Sequence, residues 1–173
     1  MICVTIHLYK GGNAMKQEIV FRYATRQDVS LIYSFIMKLA EYEGMPEAVK
    51  ASEEMIAEWM FDRNRAEVVF AMLDGKEIGF SLFYESFAAY VGKGGIFIDD
   101  LFICPEFRGK GYGKDLLKKM AQIALKRECG RLEWLCLREN MPSMEFYQHI
   151  GAKMADECVV YRITGDELVK FAK

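Results

Sequence analysis

The chain has 173 residues, of which 52% are hydrophobic and 28% are charged, and it contains only three prolines. This length suits one domain with its own core, and the composition argues against a disordered, collagen-like or membrane-embedded chain. The formal charge of −2 argues against a protein that follows nucleic-acid phosphates. Five cysteines without a C-x-x-C pair favour reduced thiols, and two distant histidines argue against a catalytic zinc site or a serine–histidine–aspartate triad.

The N-terminal residues are expected to stand apart from the rest of the chain. Residues 1–14 lack the basic start and the long apolar run of a signal peptide, and Met15 is an alternative start of the natural protein. We therefore expect residues 1–14 to be an extension that is either non-native or disordered. Residues 15–173 are expected to form one cytoplasmic domain without a membrane partner.

Hydrophobic periodicity predicts alternating strands and helices without an internal repeat. A capping-box pattern at Thr25–Asp28 marks one helix start, and Asp74-Gly75 supplies the positive φ angles of a two-residue hairpin turn. Early hairpins followed by helix-linked strands favour a mixed α/β sheet between helices. In chain order, the predicted elements are strand 18–24, a helix from Thr25, a helix from Ser52 to near Asp62, strands 67–73, 77–84 and 96–103, helix 112–126, strand 131–137, helix 141–150, strand 157–163 and a helical turn capped by Thr164.

The most specific stretch is Arg108–Lys114 (RGKGYGK), here called the glycine loop, between an apolar strand and the longest predicted helix. Its alternating glycines let the backbone approach a ligand, and the N–H groups at a helix start favour an anion such as pyrophosphate. Arg108 and Lys114 add positive charge. The stretch lacks the Gly-Lys-Ser/Thr of a nucleotide P-loop and the spacing of the dinucleotide fingerprint. The alternative is a glycine turn that only connects strand to helix.

Two motifs resemble the signatures of the GNAT acetyltransferases. The segment 104–113 (CPEFRGKGYG) is similar to their coenzyme-A-binding signature, and residues 140–152 (NMPSMEFYQHIGA) are similar to their second signature. Over about residues 18–172, the chain is most similar to the diamine and thialysine N-acetyltransferases. The resemblance implies a mostly antiparallel, twisted sheet of about six to seven strands. It also implies direct acetyl transfer from acetyl-coenzyme A to a primary amine of a small cationic acceptor.

Direct transfer requires that the amine lose a proton and that the leaving thiolate receive one. The resemblance makes Tyr147 the general acid, whereas the alternative is an aromatic core pair with Phe146. Asp99 stands where these enzymes carry glutamate and is the predicted amine ligand or base. A regular pleat would put Asp100 on the opposite face, and a β-bulge would re-aim both acids. The alternative is that both carboxylates are purely structural.

The resemblance also assigns binding residues. Backbone groups of residues 101–103 would pair with the pantetheine arm as an added strand. Asn140 is equally well explained as a helix N-cap, and Trp134 as a core residue. The predicted cofactor ligands are Leu101, Phe102, Ile103, Arg108, Gly109, Lys110, Gly111, Tyr112, Gly113, Lys114, Asn140 and Ser143. The predicted acceptor ligands are Tyr42, Glu43, Asp99, Glu133, Trp134 and Leu135.

The sequence does not determine the identity of the acceptor. Ala88 and Ala89 stand where the polyamine enzymes carry an acid, and Val159 and Val160 stand near their tryptophan. A polyamine, thialysine, an amino acid and a protein amino group are therefore all candidates. A non-catalytic acyl-coenzyme A sensor is a further alternative, which would retain the glycine loop but tolerate loss of Tyr147. The resemblance implies a homodimer, and we expect neither a metal nor a nucleic-acid partner.

Overall fold

A computed structural model describes residues 17–156 and 158–173. Within these residues, one sheet contains five strands that lie side by side in chain order. The first four strands pair antiparallel, whereas β4 and β5 pair parallel. The strands are β1 (Val20–Tyr23), β2 (Glu67–Leu73), β3 (Lys76–Ala88), β4 (Lys93–Ile103) and β5 (Arg131–Trp134).

The helices begin at the residues that the sequence marks as caps. Before α1, the Thr25 backbone N–H donates to the Asp28 carboxylate at 2.7 Å, and before α2, Ser52 Oγ accepts from the Met55 N–H at 3.3 Å. A π-helical segment, Ala57–Asp62, continues α2. None of the helices in the described ranges is long and apolar enough to cross a membrane. The helices are α1 (Val29–Tyr42), α2 (Glu53–Ile56), α3 (Tyr112–Lys126), α4 (Met141–His149) and α5 (Gly165–Phe171).

Both faces of the sheet are buried by helices, as the sequence predicts. On one face, the Phe35 ring of α1 lies 5.7 Å from the Phe70 ring and 5.2 Å from the Phe80 ring. On the other face, α3 contributes Leu116 and Met120, which are fully buried. We call these the α1 side and the α3 side of the sheet. Burial of such large side chains on both sides is the main force that holds the sheet between its helices.

The last predicted strand is wrong over the residues that can be checked. Residues 158–163 form no strand, while residue 157 and the proposed extension 1–14 lie outside the described residues. Val159 and Val160 favour extended structure, but strand formation requires a neighbour to supply hydrogen bonds, and the described chain offers them none. The described sheet therefore has five strands where six to seven were expected.

The pairing of β4 with β5 is much shorter than β4 itself. It ends at Ile98 opposite Trp134, although β4 continues to Ile103 and β5 was predicted to reach residue 137. Beyond Ile98, the backbone edge of β4 that faces β5 has no strand partner in β5. The two strands thus part in the middle of the sheet, and the opening lies directly before the glycine loop.

The backbones of β3 and β4 lie too close together at Gly79 for a larger residue, and substitution of this glycine tests their packing. A Cβ at Gly79 would lie 2.5 Å from the Phe102 carbonyl oxygen and 2.5 Å from Ile103 Cδ1. We expect Gly79→Ala to lower the free energy of unfolding by about 1–3 kcal/mol, because backbone atoms must move to accommodate the methyl group. Urea denaturation measures this difference.

Gly94→Ala is the matched control. The nearest atom to a Cβ at Gly94 is Cys129 Sγ at 3.5 Å, an ordinary contact, so its unfolding free energy should stay within about 0.5 kcal/mol or rise. Equal destabilisation by the two substitutions would contradict the packing described for β3 and β4.

Candidate active site

A β-bulge in β4 brings both acids of this strand to one side of the sheet. Leu82 pairs with Asp100 and Phe83 pairs with Ile98, so Asp99 is an extra residue on β4. Ile98 and Leu101 both pack into the α3-side core, which residues three apart cannot do in a regular pleat. Asp99 and Asp100 consequently both face the α1 side. The structure thus shows the bulge that would re-aim the two acids.

Asp100 is almost completely buried, with 1% of its surface exposed. Its backbone oxygen accepts a hydrogen bond from Ser81 Oγ at 3.1 Å, but its carboxyl Oδ1 has no hydrogen-bond partner. Burial raises the pKa of Asp100 well above the usual range, and the nearby carboxylates of Asp99 and Glu43 raise it further. Asp100 therefore holds a proton more tightly than an ordinary aspartate.

Asp99 lies beside Asp100 and is exposed. Surrounding protein removes part of the solvation of its carboxylate and raises its pKa, whereas the positive charge of Arg162 lowers it. A carboxylate with a raised pKa accepts a proton more readily than an ordinary one. Asp99 is therefore better suited to act as a base than its residue type alone would indicate.

An aromatic row crosses the sheet next to these acids, and sequence reasoning missed most of it. Tyr84 of β3, Phe97 of β4 and Glu133 of β5 lie opposite one another in the strand register. The rings of Tyr84 and Phe97 stack with centroids 5.2 Å apart and planes 22° apart. The pKa of Tyr84 is raised by burial and by the charges of Asp99 and Glu133.

We refer to Tyr84, Phe97, Asp99, Asp100 and Glu133 together as the acidic face. Glu133 also forms an ion pair with Arg131 at 2.7 Å. Carboxylates beside aromatic rings attract a cation, both through charge and through the negative potential above a ring. The pattern of the isolated strand 77–84 gives no hint of this role for Tyr84, because its proximity to Asp99 depends on how the strands pair.

Tyr147 and Trp134 lie on the α3 side, behind the acidic face. The Tyr147 ring is edge-on to the Trp134 ring at 5.0 Å and to the Phe146 ring at 5.6 Å, and Tyr147 is 6% exposed. Trp134 packs against the α3-side core, as the alternative prediction for this residue stated. Because Trp134 is the last residue of β5 paired with β4, Tyr147 lies next to the point where these strands part.

The glycine loop has backbone conformations that only glycine adopts easily. Gly109 and Gly111 have φ angles of +70° and +82°, and Gly111 is the N-cap of α3. Tyr112 is buried in the α3-side core, whereas Lys114 is exposed in the first turn of α3. Lys110 donates to the Glu106 carbonyl at 3.3 Å. Gly113 lies between these residues in the same turn.

The remaining predicted cofactor ligands lie at the end of β4 and at the start of α4. The predicted edge of Leu101, Phe102 and Ile103 lies on the part of β4 that β5 leaves unpaired. Asn140 Oδ1 accepts from the Ser143 N–H at 3.3 Å, so Asn140 caps α4, and Ser143 is buried. This open edge and the exposed start of α3 fit coenzyme A, whose amide groups need hydrogen-bonding partners and whose pyrophosphate is anionic.

The predicted acceptor ligands are only partly brought together. Tyr42 ends α1 and Glu43 follows it, and the effect of the Glu43 charge on the pKa of Asp100 places this end of the helix near the acidic face. Leu135 is half-buried just after β5. Trp134, in contrast, lies on the other side of the sheet. The described residues contain no group of three or more His, Cys, Asp or Glu side chains that could hold a metal ion.

Sequence comparison shows that this chain is similar to known acetyltransferases. A sequence model of the acetyltransferase (GNAT) family matches residues 32–152. Thialysine N-epsilon-acetyltransferase of Bos taurus is 30% identical over 166 residues, which cover 89% of this chain and 97% of that protein. L-ornithine N5-acetyltransferase NATA1 of Arabidopsis thaliana is 38% identical over 90 residues, which cover 52% of this chain and 40% of that protein.

A solved structure is similar to this chain in both fold and sequence. An integron cassette protein from the mobile metagenome of V. cholerae superposes with a TM-score of 0.75 at 30% identity. The superposition covers 92% of this chain and 99% of that chain. The mixed α/β arrangement of strands and helices described above is therefore shared along nearly the whole chain.

The buried carboxyl of Asp100 predicts a pH-dependent stability difference. The folded chain holds the Asp100 proton more tightly than the unfolded chain, so this residue reduces stability as the pH rises above about 4. Asn cannot ionise, so the stability of Asp100→Asn relative to wild type should increase from about pH 4 to about pH 7. Urea denaturation at a series of pH values measures the difference.

Asp156→Asn, which changes an exposed aspartate, is the control and should show no comparable trend. A stability difference for Asp100→Asn that is flat across the pH range would show that Asp100 is ionised as easily in the folded chain as in the unfolded one.

Proposed function

The chain belongs to the acetyltransferase (GNAT) family and is an acyltransferase, and we propose that it acetylates a primary amine of a small cationic acceptor with acetyl-coenzyme A. The observation that carries this proposal is the bulge that places Asp99 and Asp100 on the acidic face, next to the open edge of β4. The names of two relatives, for thialysine and L-ornithine, support small amines as the acceptors to test first.

The open edge and the glycine loop would hold the cofactor. Backbone groups of Leu101–Ile103 would bind the pantetheine amides, and the first turn of α3 with Lys114 would bind the pyrophosphate. Asn140 and Ser143 at the start of α4 would add contacts from the β5 side. When bound, acetyl-coenzyme A supplies an acetyl thioester, whose sulfur is the leaving group.

The acidic face would hold the acceptor and remove its proton. The ammonium group of the acceptor would lie against Asp99, with Tyr84 and Glu133 beside it. Asp99 would accept the amine proton, directly or through a water, because its raised pKa increases its basicity. Glu43 and Tyr42 at the end of α1 would border the acceptor from the opposite direction.

Tyr147 would supply the second proton. Its ring lies beside Trp134, at the point where β4 and β5 part and the unpaired edge of β4 begins. The phenol would donate its proton at the leaving sulfur. Its packing against Phe146 and Trp134 fixes the direction in which the hydroxyl points, so the core role and the catalytic role are compatible.

An amine panel tests the proposed function. The purified protein is mixed with acetyl-coenzyme A and with thialysine, L-ornithine, L-lysine, spermidine, putrescine or a basic peptide, and released thiol is measured. We expect selective turnover of a small amine, because the acidic face offers carboxylates and rings to a single cationic group. Turnover of the peptide alone would indicate a protein acceptor, and binding of coenzyme A without any turnover would indicate a sensor.

Tyr147→Phe serves as the internal control of this experiment. Loss of the phenolic proton should lower kcat by about 10²–10⁴-fold and leave coenzyme A affinity nearly unchanged. Tyr90→Phe alters a fully exposed tyrosine in the turn after β3 and should retain wild-type turnover. Wild-type rates from Tyr147→Phe would remove this residue from the mechanism without affecting the assignment of the substrate class.

We also propose that the protein is a homodimer. Its C-terminal part exposes several large apolar side chains, which an interface between copies would cover. They are Val159, Val160, Tyr161, Ile163, Leu168, Val169 and Phe171. Sedimentation velocity should give twice the mass of one chain, and a single-chain mass across the concentration range would contradict the proposal. A cytoplasmic location and the absence of a nucleic-acid partner stay predictions.

A further inference from the structure

Arg108 begins the glycine loop, but its side chain lies on the α1 side of the sheet. Its Nε donates to the Ile103 carbonyl oxygen at 2.7 Å. The guanidinium carbon lies 3.9 Å from the centroid of the Tyr42 ring and 5.0 Å from that of the Phe102 ring. Because the two rings are themselves 6.3 Å apart, the guanidinium contacts both at once.

The surroundings of Arg108 hold this cation in place. Burial lowers the pKa of the guanidinium, while Tyr42, which also shares a side-chain hydrogen bond with it, acts in the opposite direction. Nη2 is buried and has no hydrogen-bond partner. A partly desolvated cation gains more from aromatic rings than an exposed one does. The contact with Tyr42 and Phe102 is therefore a strong determinant of where Arg108 lies.

These contacts link the glycine loop to the acidic face. Arg108 contacts Tyr42, which is the last residue of α1, and Glu43 follows directly. The carboxylate of Glu43 lies close enough to Asp100 for its charge to act on the buried carboxyl. Successive contacts thus connect the glycine loop, through the end of α1, to Asp99 and Asp100.

We propose that Arg108 is a positioning residue for the acceptor and is not a ligand of the pyrophosphate. It fixes the end of α1, and with it Tyr42 and Glu43, at the border of the acidic face. This inference rests on the proposed function, since it assigns the acceptor to that face. To reach an anion at the start of α3, the guanidinium would have to leave both rings and the Ile103 carbonyl, whereas Lys114 is already exposed there.

Arg108→Met and Lys114→Met form a matched pair, because each replaces a cation of the same loop by an uncharged chain of similar length. For each variant we would measure the Kd of coenzyme A at low and high salt, and the acceptor KM at saturating acetyl-coenzyme A. Arg108→Met should raise the acceptor KM about tenfold and leave the coenzyme A Kd and its salt dependence unchanged. Lys114→Met should weaken coenzyme A binding and reduce its salt dependence, with little effect on the acceptor KM.

The conservative variant Arg108→Lys separates charge from shape. Lysine keeps the positive charge but lacks the planar guanidinium, so the acceptor KM should rise by a smaller factor than in Arg108→Met. If Arg108→Met does not fold, the same measurements are made on Arg108→Lys. A higher and less salt-dependent Kd for coenzyme A in the Arg108 variants would overturn the proposal. An acceptor KM that is unchanged in these variants would overturn it as well.

Hydrogen exchange tests the positioning role without turnover. The N–H groups of Glu43, Gly44 and Met45 donate to carbonyls of α1 at 3.0, 3.1 and 2.8 Å. They should exchange faster in Arg108→Met than in wild type or Lys114→Met. If wild type acetylates none of the amines, the proposed function fails, and hydrogen exchange then tests only whether Arg108 fixes the end of α1: faster exchange supports this part of the inference, and unchanged exchange overturns it.

Discussion

The β-bulge at Asp99 holds two carboxyl groups on a side of the sheet where a regular pleat would place only one. This arrangement destabilises the ionised form of Asp100, because its carboxyl is buried without a partner for Oδ1 and lies near the charges of Asp99 and Glu43. A bound ammonium group would offset the repulsion among these carboxylates. The same extra residue thus causes the repulsion between these carboxylates and supports the proposal that the acceptor is a cation.

The parting of β4 and β5 divides the site into two regions. Beyond Ile98, the edge of β4 that β5 leaves unpaired is the proposed site of the pantetheine arm, and the acidic face is the proposed site of the amine. Tyr147 lies at the junction, packed on Trp134, and Arg108 connects the loop to the end of α1. In the proposed site, cofactor and acceptor would occupy different parts of one sheet, which suits direct transfer between two bound molecules.

Local patterns predicted much of this fold, but strand pairing decided the rest. The Asp74-Gly75 turn, the caps of α1 and α2 and the glycine loop have local causes, so the sequence was sufficient for them. The strand predicted over 157–163 failed in the described residues because its apolar residues find no partner there. The sequence alone did not predict a role for Tyr84, because only the register of β3, β4 and β5 brings this residue near Asp99 and Glu133. The motif predicts Arg108 as a phosphate ligand, and only the packing of the folded chain shows that its guanidinium lies against Tyr42.

The most direct test is a crystal structure with coenzyme A and an amine that the protein acetylates. We expect pantetheine along Leu101–Ile103 and the acceptor nitrogen against Asp99, on the face that carries Tyr84 and Glu133. The Tyr147 hydroxyl should point toward the sulfur. An acceptor bound on the α3 side would show that the acidic face is not the acceptor site, and an Asp100 carboxyl that points into the α3-side core would show that the bulge does not bring the two acids together.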